Sequence, residues 1–180
     1  MIEKRKYPYF AMQTWQDVFF LHWPIDEKRL RPYVPYPLAI DTFAGKAYIS
    51  VICLIIKNNR LPLFSFPMLK QAVQINVRTY VRLDKEKEKG VYFFNLYTDQ
   101  LLPILGARTL MNLPFHYVKT SYDRSTDQID YTSWRKKETL IDVSFQKKQK
   151  LEASALTKFL TERYAIWNVA CNRIIKIPIM

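Results

Sequence analysis

The chain has 180 residues, 49% hydrophobic and 24% charged, which fits one globular domain over residues 1–180 and excludes a disordered or fibrous chain. With only three glycines, it contains no Gly-rich phosphate loop, and neither a dinucleotide-binding nor a Walker-type pattern occurs. The net charge of +12 raises the question of a nucleic-acid partner.

The opening "MIEKRKYPYFAMQTWQ" has a charged start but no apolar core followed by a small-residue cleavage site, so it does not read as a signal peptide. Residues 10–23, "FAMQTWQDVFFLHW", read as a strand. Residues 26–33 read as a short helix with Asp26 as its N-cap, stopped by Pro35 and Pro37. "LAIDTF" and "KAYISVICLIIK" bracket Ala44-Gly45 and predict a hairpin. Residues 47–56 are apolar on both faces, as a covered central strand requires, and are too few to span a membrane. The chain is therefore expected to be cytoplasmic, with no membrane partner. Residues 58–70, with Pro62 and Pro67 among apolar side chains, read as a lid or packed surface loop.

"QINVRTYVRLDKEKEKGVYFFNLYT" predicts a second hairpin, with Gly90 able to take a positive φ in its turn. Its first strand carries Asn76, Arg78, Tyr80 and Arg82 on one face and Ile75, Val77, Thr79, Val81 and Leu83 on the other. Residues 99–112 read as a helix capped by Asp99, with Pro103 in its first turn. "PFHYVKTSYD" and "QIDYTSWRKK" form a hairpin, and "TLIDVSFQ" adds a strand. Residues 154–167 are the clearest helix, capped by Ser154, with Leu156, Phe159, Leu160 and Arg163 at helical spacing. "CNRIIKIPIM" closes as a strand. About eight to ten strands with two or three short helices predict a mainly β protein, one antiparallel barrel or strongly curved sheet.

Chemistry-bearing residues are few. Cys53 and Cys171 lie in apolar surroundings and read as buried free thiols rather than a disulfide or metal site. His22 sits beside Trp23 and reads as a packed residue. Neither it nor His116 has ligands at metal spacing, so no metal and no cofactor is expected. No G-x-S-x-G elbow occurs, and a His116–Cys53 dyad needs a chance tertiary meeting. Lys119, read on one strand face with Phe115 and Tyr117, is a candidate Schiff-base nucleophile if buried. Arg135, Lys136, Lys137, Lys147, Lys148 and Lys150 flank one strand and read as solvated strand ends. No zinc-finger, basic-helix or RNP pattern supports specific nucleic-acid binding, though a basic surface for nucleic acid or an acidic partner stays as an alternative. Arg78, mid-strand, is either exposed or a bidentate anchor for carboxylate or phosphate; the pattern leaves both readings open.

"WQDVFFLHWPIDEKRLRPYVPYPLAIDTFAGKAYISV", "INVRTYV", "GVYFFNL", "GARTLMNLPFHYV" and "LTKFLTERY", in this order, closely resemble the YqjF-like family of bacterial proteins, related to the acetoacetate decarboxylase superfamily. The resemblance implies a closed, cone-like antiparallel β-barrel around a small pocket. Acetoacetate decarboxylases use a lysine in a Pro-Lys motif shortly after a Gly-Arg-Glu segment. Here Arg108 matches the arginine and Pro114 the proline, but Phe115 stands in the lysine's place, Thr109 replaces the glutamate, and Gln74 falls where relatives carry an acidic residue. The resemblance thus implies the fold and pocket without Schiff-base decarboxylation. The expected ligand is an anionic or carbonyl-bearing metabolite held by Arg78 and Arg108, oriented by Asn76 and Tyr80. A lyase or hydratase acting through Lys119 or His116 is the alternative. Asn76, Arg78 and Tyr80 are predicted to face the interior, and Ile75, Val77 and Val81 to pack outward beneath helices or the loop at 62–69. The family continues past "KIPI", so truncation at Met180 is expected, leaving an apolar edge strand that favours a homo-oligomer.

Overall fold

The structure, a computed structural model, describes residues 12–60, 71–83, 88–101, 104, 108, 112–149, 151–170 and 173–178. β1 (Met12–Ile25) leads into α1 (Glu27–Leu30) and a 3-10 turn (Arg31–Tyr33). Asp26 caps α1 by accepting from the Lys28 amide at 2.8 Å. β2 (Ala39–Ile40), β3 (Ala47–Arg60), β4 (Gln71–Leu83) and β5 (Glu88–Thr98) follow. β6 (Phe115–Tyr117), β7 (Lys119–Arg124), β8 (Gln128–Arg135) and β9 (Glu138–Gln146) precede α2 (Ala155–Thr161), and β10 (Ala165–Ala170) and β11 (Arg173–Pro178) complete the described strands.

The main sheet runs β1-β3-β4-β5-β10-β11, with β2 on β4 and β6 on β5; β7-β8-β9 form a separate sheet. The architecture is mainly β, as the alternating patterns predict. No sheet closes on itself among the described residues, since β1 and β11 end the strand order. The pairing is also not wholly antiparallel: β10 and β6 both run parallel to β5.

Several elements depart from the sequence reading. Ala44 and Gly45 both take positive φ, the signature of a primed two-residue turn, but only the Phe43–Lys46 bridge closes on it. β2 instead continues along β4, where Ile40 faces Val81. The helix expected over 154–167 ends at Thr161, and Ala165–Ala170 pair as a strand with β11. "PFHYVKTSYD" is broken at Val118, whose amide donates to Thr98 O at 3.0 Å and whose side chain is buried; the chain there leaves one sheet for the other.

β4 is covered on both faces. On one, Phe19, Cys53, Val73 and Ile75 pack against Ile129, Tyr131 and Phe145 of the small sheet. At the far end of that face, Val81 and Leu83 pack with Leu30 and Val34. Val81 therefore lies beneath a helix as expected, whereas Ile75 lies beneath strands; the loop at 62–69 falls outside the described residues. On the other face, Tyr80, Phe93, Leu96 and Phe115 pack against Leu160 of α2. Burying Leu160 there stabilises the docking of α2 by roughly 2 kcal/mol.

Candidate functional site

The α2-covered face carries the polar row of β4. Across four strands, His22 faces Ser50, Ser50 faces Arg78, and Arg78 faces Phe93. A period of two then places Asn76 and Tyr80 on either side of Arg78 on the same face. All three are buried, Arg78 to 4% exposure. Asn76 Oδ1 accepts from Gln74 Nε2 at 2.6 Å. Phe115 packs in the same cluster as Tyr80.

α2 supplies the acceptors. The last carbonyls of a helix have no partner within it. Leu160 O accepts from Tyr80 Oη at 2.9 Å and from Arg78 Nη2 at 3.2 Å. Phe159 O accepts from Arg163 Nε at 2.8 Å. Arg163 Nη1 also donates to Asp41 Oδ2 at 2.6 Å. Ser50 Oγ joins the network at 2.7 Å from Tyr80 Oη and 2.6 Å from His22 Nδ1.

This cluster is short of negative charge. Among the described residues, its two buried guanidiniums have one ion-paired carboxylate, Asp41. Arg78 Nε and Arg163 Nη2 have no hydrogen-bond partner among the described residues. Burial pushes the Arg78 guanidinium down from its ordinary value; Tyr80 opposes this and the charge on Arg163 adds to it. Burial, then Arg78, also pushes His22 down, which favours a neutral imidazole. The guanidiniums of Arg78 and Arg163 lie 5.7 and 5.2 Å from the Tyr80 ring centre.

The other sequence candidates lie apart. Arg108 is exposed and donates from Nη2 to His116 Nδ1 at a long 3.4 Å. His116 Nε2 then donates to Asn95 Oδ1 at 3.1 Å. Burial, Arg135 and Arg108 push His116 down, in keeping with that neutral tautomer. Arg108 lines an open cavity of about 450 Å³ that Arg78 does not line. Lys119 is exposed at the start of β7, in the other sheet from Phe115, so the expected shared face does not form and no burial activates it. Cys53 is packed against the small sheet, and burial pushes its thiol up to about 12; the thiolate a His116–Cys53 dyad needs is disfavoured. Cys171 and Lys150 lie outside the described residues, among which no cluster of three or more His, Cys, Asp or Glu side chains stands at metal-binding distance.

Sequence reasoning missed Ser50, Asp41 and Arg163. Ser50 was legible as a hydroxyl in an otherwise apolar strand. The Arg163–Asp41 pair spans 122 residues and left no local signal.

Residues 12–180 match DUF2071, a family described as an uncharacterized conserved protein. The chain belongs to this family. A family relative, the uncharacterized protein YqjF of Bacillus subtilis (strain 168), is 37% identical over 170 residues, covering 90% of this chain and 69% of its own. Among solved structures, acetoacetate decarboxylase from Legionella pneumophila is similar, with a TM-score of 0.65 at 14% identity over 94% of this chain. The enduracididine biosynthesis enzyme MppR, complexed with the condensation product of pyruvate and imidazole 4-carboxaldehyde, has a TM-score of 0.67 at 10% identity over 89%. The DUF2071 chain shares their fold and spans 65% and 63% of their respective lengths.

Proposed function

We propose that the α2-covered face binds a small carboxylate, with a 2-oxo acid as the leading class. One observation carries this reading: of two buried guanidiniums, only Arg163 has an ion-paired carboxylate among the described residues, and each keeps a nitrogen without a hydrogen-bond partner there. A buried unpaired charge costs several kcal/mol, and a bound anion offsets that cost. In this reading Arg78 grips the carboxylate, and Tyr80 and Asn76 orient the adjoining carbonyl. Phe115 makes the site one for binding rather than Schiff-base decarboxylation. The complex of MppR with a pyruvate-derived product supports pyruvate as the first probe. The reading extends to the enclosure, a closed barrel with β1 and β11 as its meeting edges, and to a cytoplasmic setting, where such metabolites are found.

Thermal unfolding with pyruvate and other small oxo acids tests it. A ligand at about 100 times its Kd adds roughly 2.7 kcal/mol. Wild type is expected to show a ligand-dependent rise in Tm that Arg78→Leu abolishes. A rise of equal size in Arg78→Leu sinks the proposal.

A further inference from the structure

The open cavity has a topological cause. β4 occupies one edge of β5. The opposite edge is shared: β10 joins it where Ile166 faces Val91, and β6 joins from Leu96 to Thr98. Between them, over residues 92–95, no described strand pairs with that edge. Phe94 is the extra residue of a bulge there, since Asn95 faces Val77 while Phe93 faces Arg78. The cavity of about 450 Å³ opens at this fork. Its rim is tied by Asn168 Nδ2 donating to Asn112 O at 2.7 Å.

The lining combines two chemistries. Tyr92, Phe93 and Phe94 supply aromatic surface from both faces of β5, with the Tyr92 and Phe94 rings edge to face at 5.6 Å. Arg108 supplies a cation whose one hydrogen bond among the described residues is the long contact to His116. The Asn112 amide adds a donor at the rim, holding Val169 O at 3.4 Å. Ring surface from Tyr92, Phe93 and Phe94 beside a guanidinium held, among the described residues, only by a long hydrogen bond suits a planar body carrying a carboxylate, because the planar fork of arginine matches a carboxylate through two parallel bonds. The size is that of a small-molecule site.

We propose that the fork of β5 is a second ligand site, adjoining the Arg78 cluster at Phe93, and that it takes a planar aromatic carboxylate. It does not rest on the reading of the inner face. Benzoate is the probe, with benzamide as its neutral counterpart, followed by protein-observed NMR at low salt. Benzoate is expected to shift amide signals around Tyr92–Asn95 and Asn112, and benzamide to bind more weakly. Arg108→Gln is expected to weaken benzoate by at least about tenfold, as loss of a charge-assisted bidentate pair does. Asn112→Asp, which keeps the shape and adds a repelling charge, should do the same. Arg78→Leu should weaken benzoate far less than Arg108→Gln does, since Arg78 faces Phe93 across the strands but does not itself line the cavity. The proposal is overturned if benzoate does not bind, if benzamide binds as well, or if Arg78→Leu matches the loss in Arg108→Gln. That last result would mean one continuous site. Loss of pyruvate binding alone would bear only on the inner face.

Discussion

Arg163 holds Asp41 at 2.6 Å in an ion pair whose side chains are 1% and 7% exposed. Removing one partner of a buried pair strands the other charge. Asp41→Asn would leave Arg163 beside Arg78 with no carboxylate in the cluster. The expected loss is about 3–5 kcal/mol in urea unfolding. A loss under about 1 kcal/mol would mean that water or an unrecognised anion already screens the cluster.

Arg78→Leu should behave in the opposite way. It removes a buried charge with an orphaned Nε, and Leu160 O keeps its bond from Tyr80. Stability should be unchanged or rise slightly, as when buried ions give way to apolar groups. A midpoint that falls by more than about 2 kcal/mol would make Arg78 a structural cap for α2 rather than an anion anchor.

Low pH should act through Asp17, at the bulge of β1. Burial pushes its carboxyl up, but hydrogen bonds from Lys147, Tyr122 and Gln16 outweigh this and hold it at about 2, below the ordinary 3.8. The unfolded chain therefore takes up the proton first as pH falls. The stabilisation, on the order of 2 kcal/mol, is complete above about pH 4 and lost as pH falls through about 2. Asp17→Asn should flatten the fall in stability over that window. An unchanged slope would exclude Asp17 as its source.

Much of this was legible in the chain itself, and the failures have physical causes. The alternation of Asn76, Arg78 and Tyr80 against Ile75 and Val81 fixed the two faces of β4 because a strand has a period of two. Asp26 and Ser154 announced their helix starts because capping is local. The end of α2 was not legible: helical spacing through Arg163 continued, but pairing of Ala165–Ala170 with β11 won. Likewise, nothing in "PFHYVKTSYD" announces that Lys119 sits in a different sheet from Phe115. The positive φ of Asp17 and the bulge around it depend on where β3 pairs.

Incubation with acetoacetate and borohydride should give no stable adduct. Phe115 cannot form a Schiff base, and Lys119 is exposed. An adduct mapped to Lys119 by peptide mass would overturn this.

DNA and RNA should bind weakly, without sequence preference, and release as salt rises. The exposed Arg135, Lys136 and Lys137 adjoin the exposed Glu138, and Lys147 is ion-paired with Asp17 at 2.8 Å. Sub-micromolar affinity at physiological salt would reinstate a nucleic-acid role.

The fork of β5 divides the main sheet unequally. β10 meets β5 at one ladder pair, and the backbones close tightly beside it: a Cβ on Gly90 would lie 2.5 Å from Ala165 O and 2.6 Å from the Trp167 ring. The β10–β11 hairpin thus joins the main sheet by one ladder pair and is also held by the buried side chains of Ala165, Trp167 and Ile177, and α2, just before it in the chain, is short. Such a unit opens as a block at a free energy below that of global unfolding. Amide hydrogens of Trp167 and Asn168 should exchange faster than those of Ile52 and Leu54 in β3, and together with those of Leu160. Each opening would lift Leu160 from Tyr80 and Arg78, so the breathing of one hairpin would set how often the buried guanidiniums meet solvent.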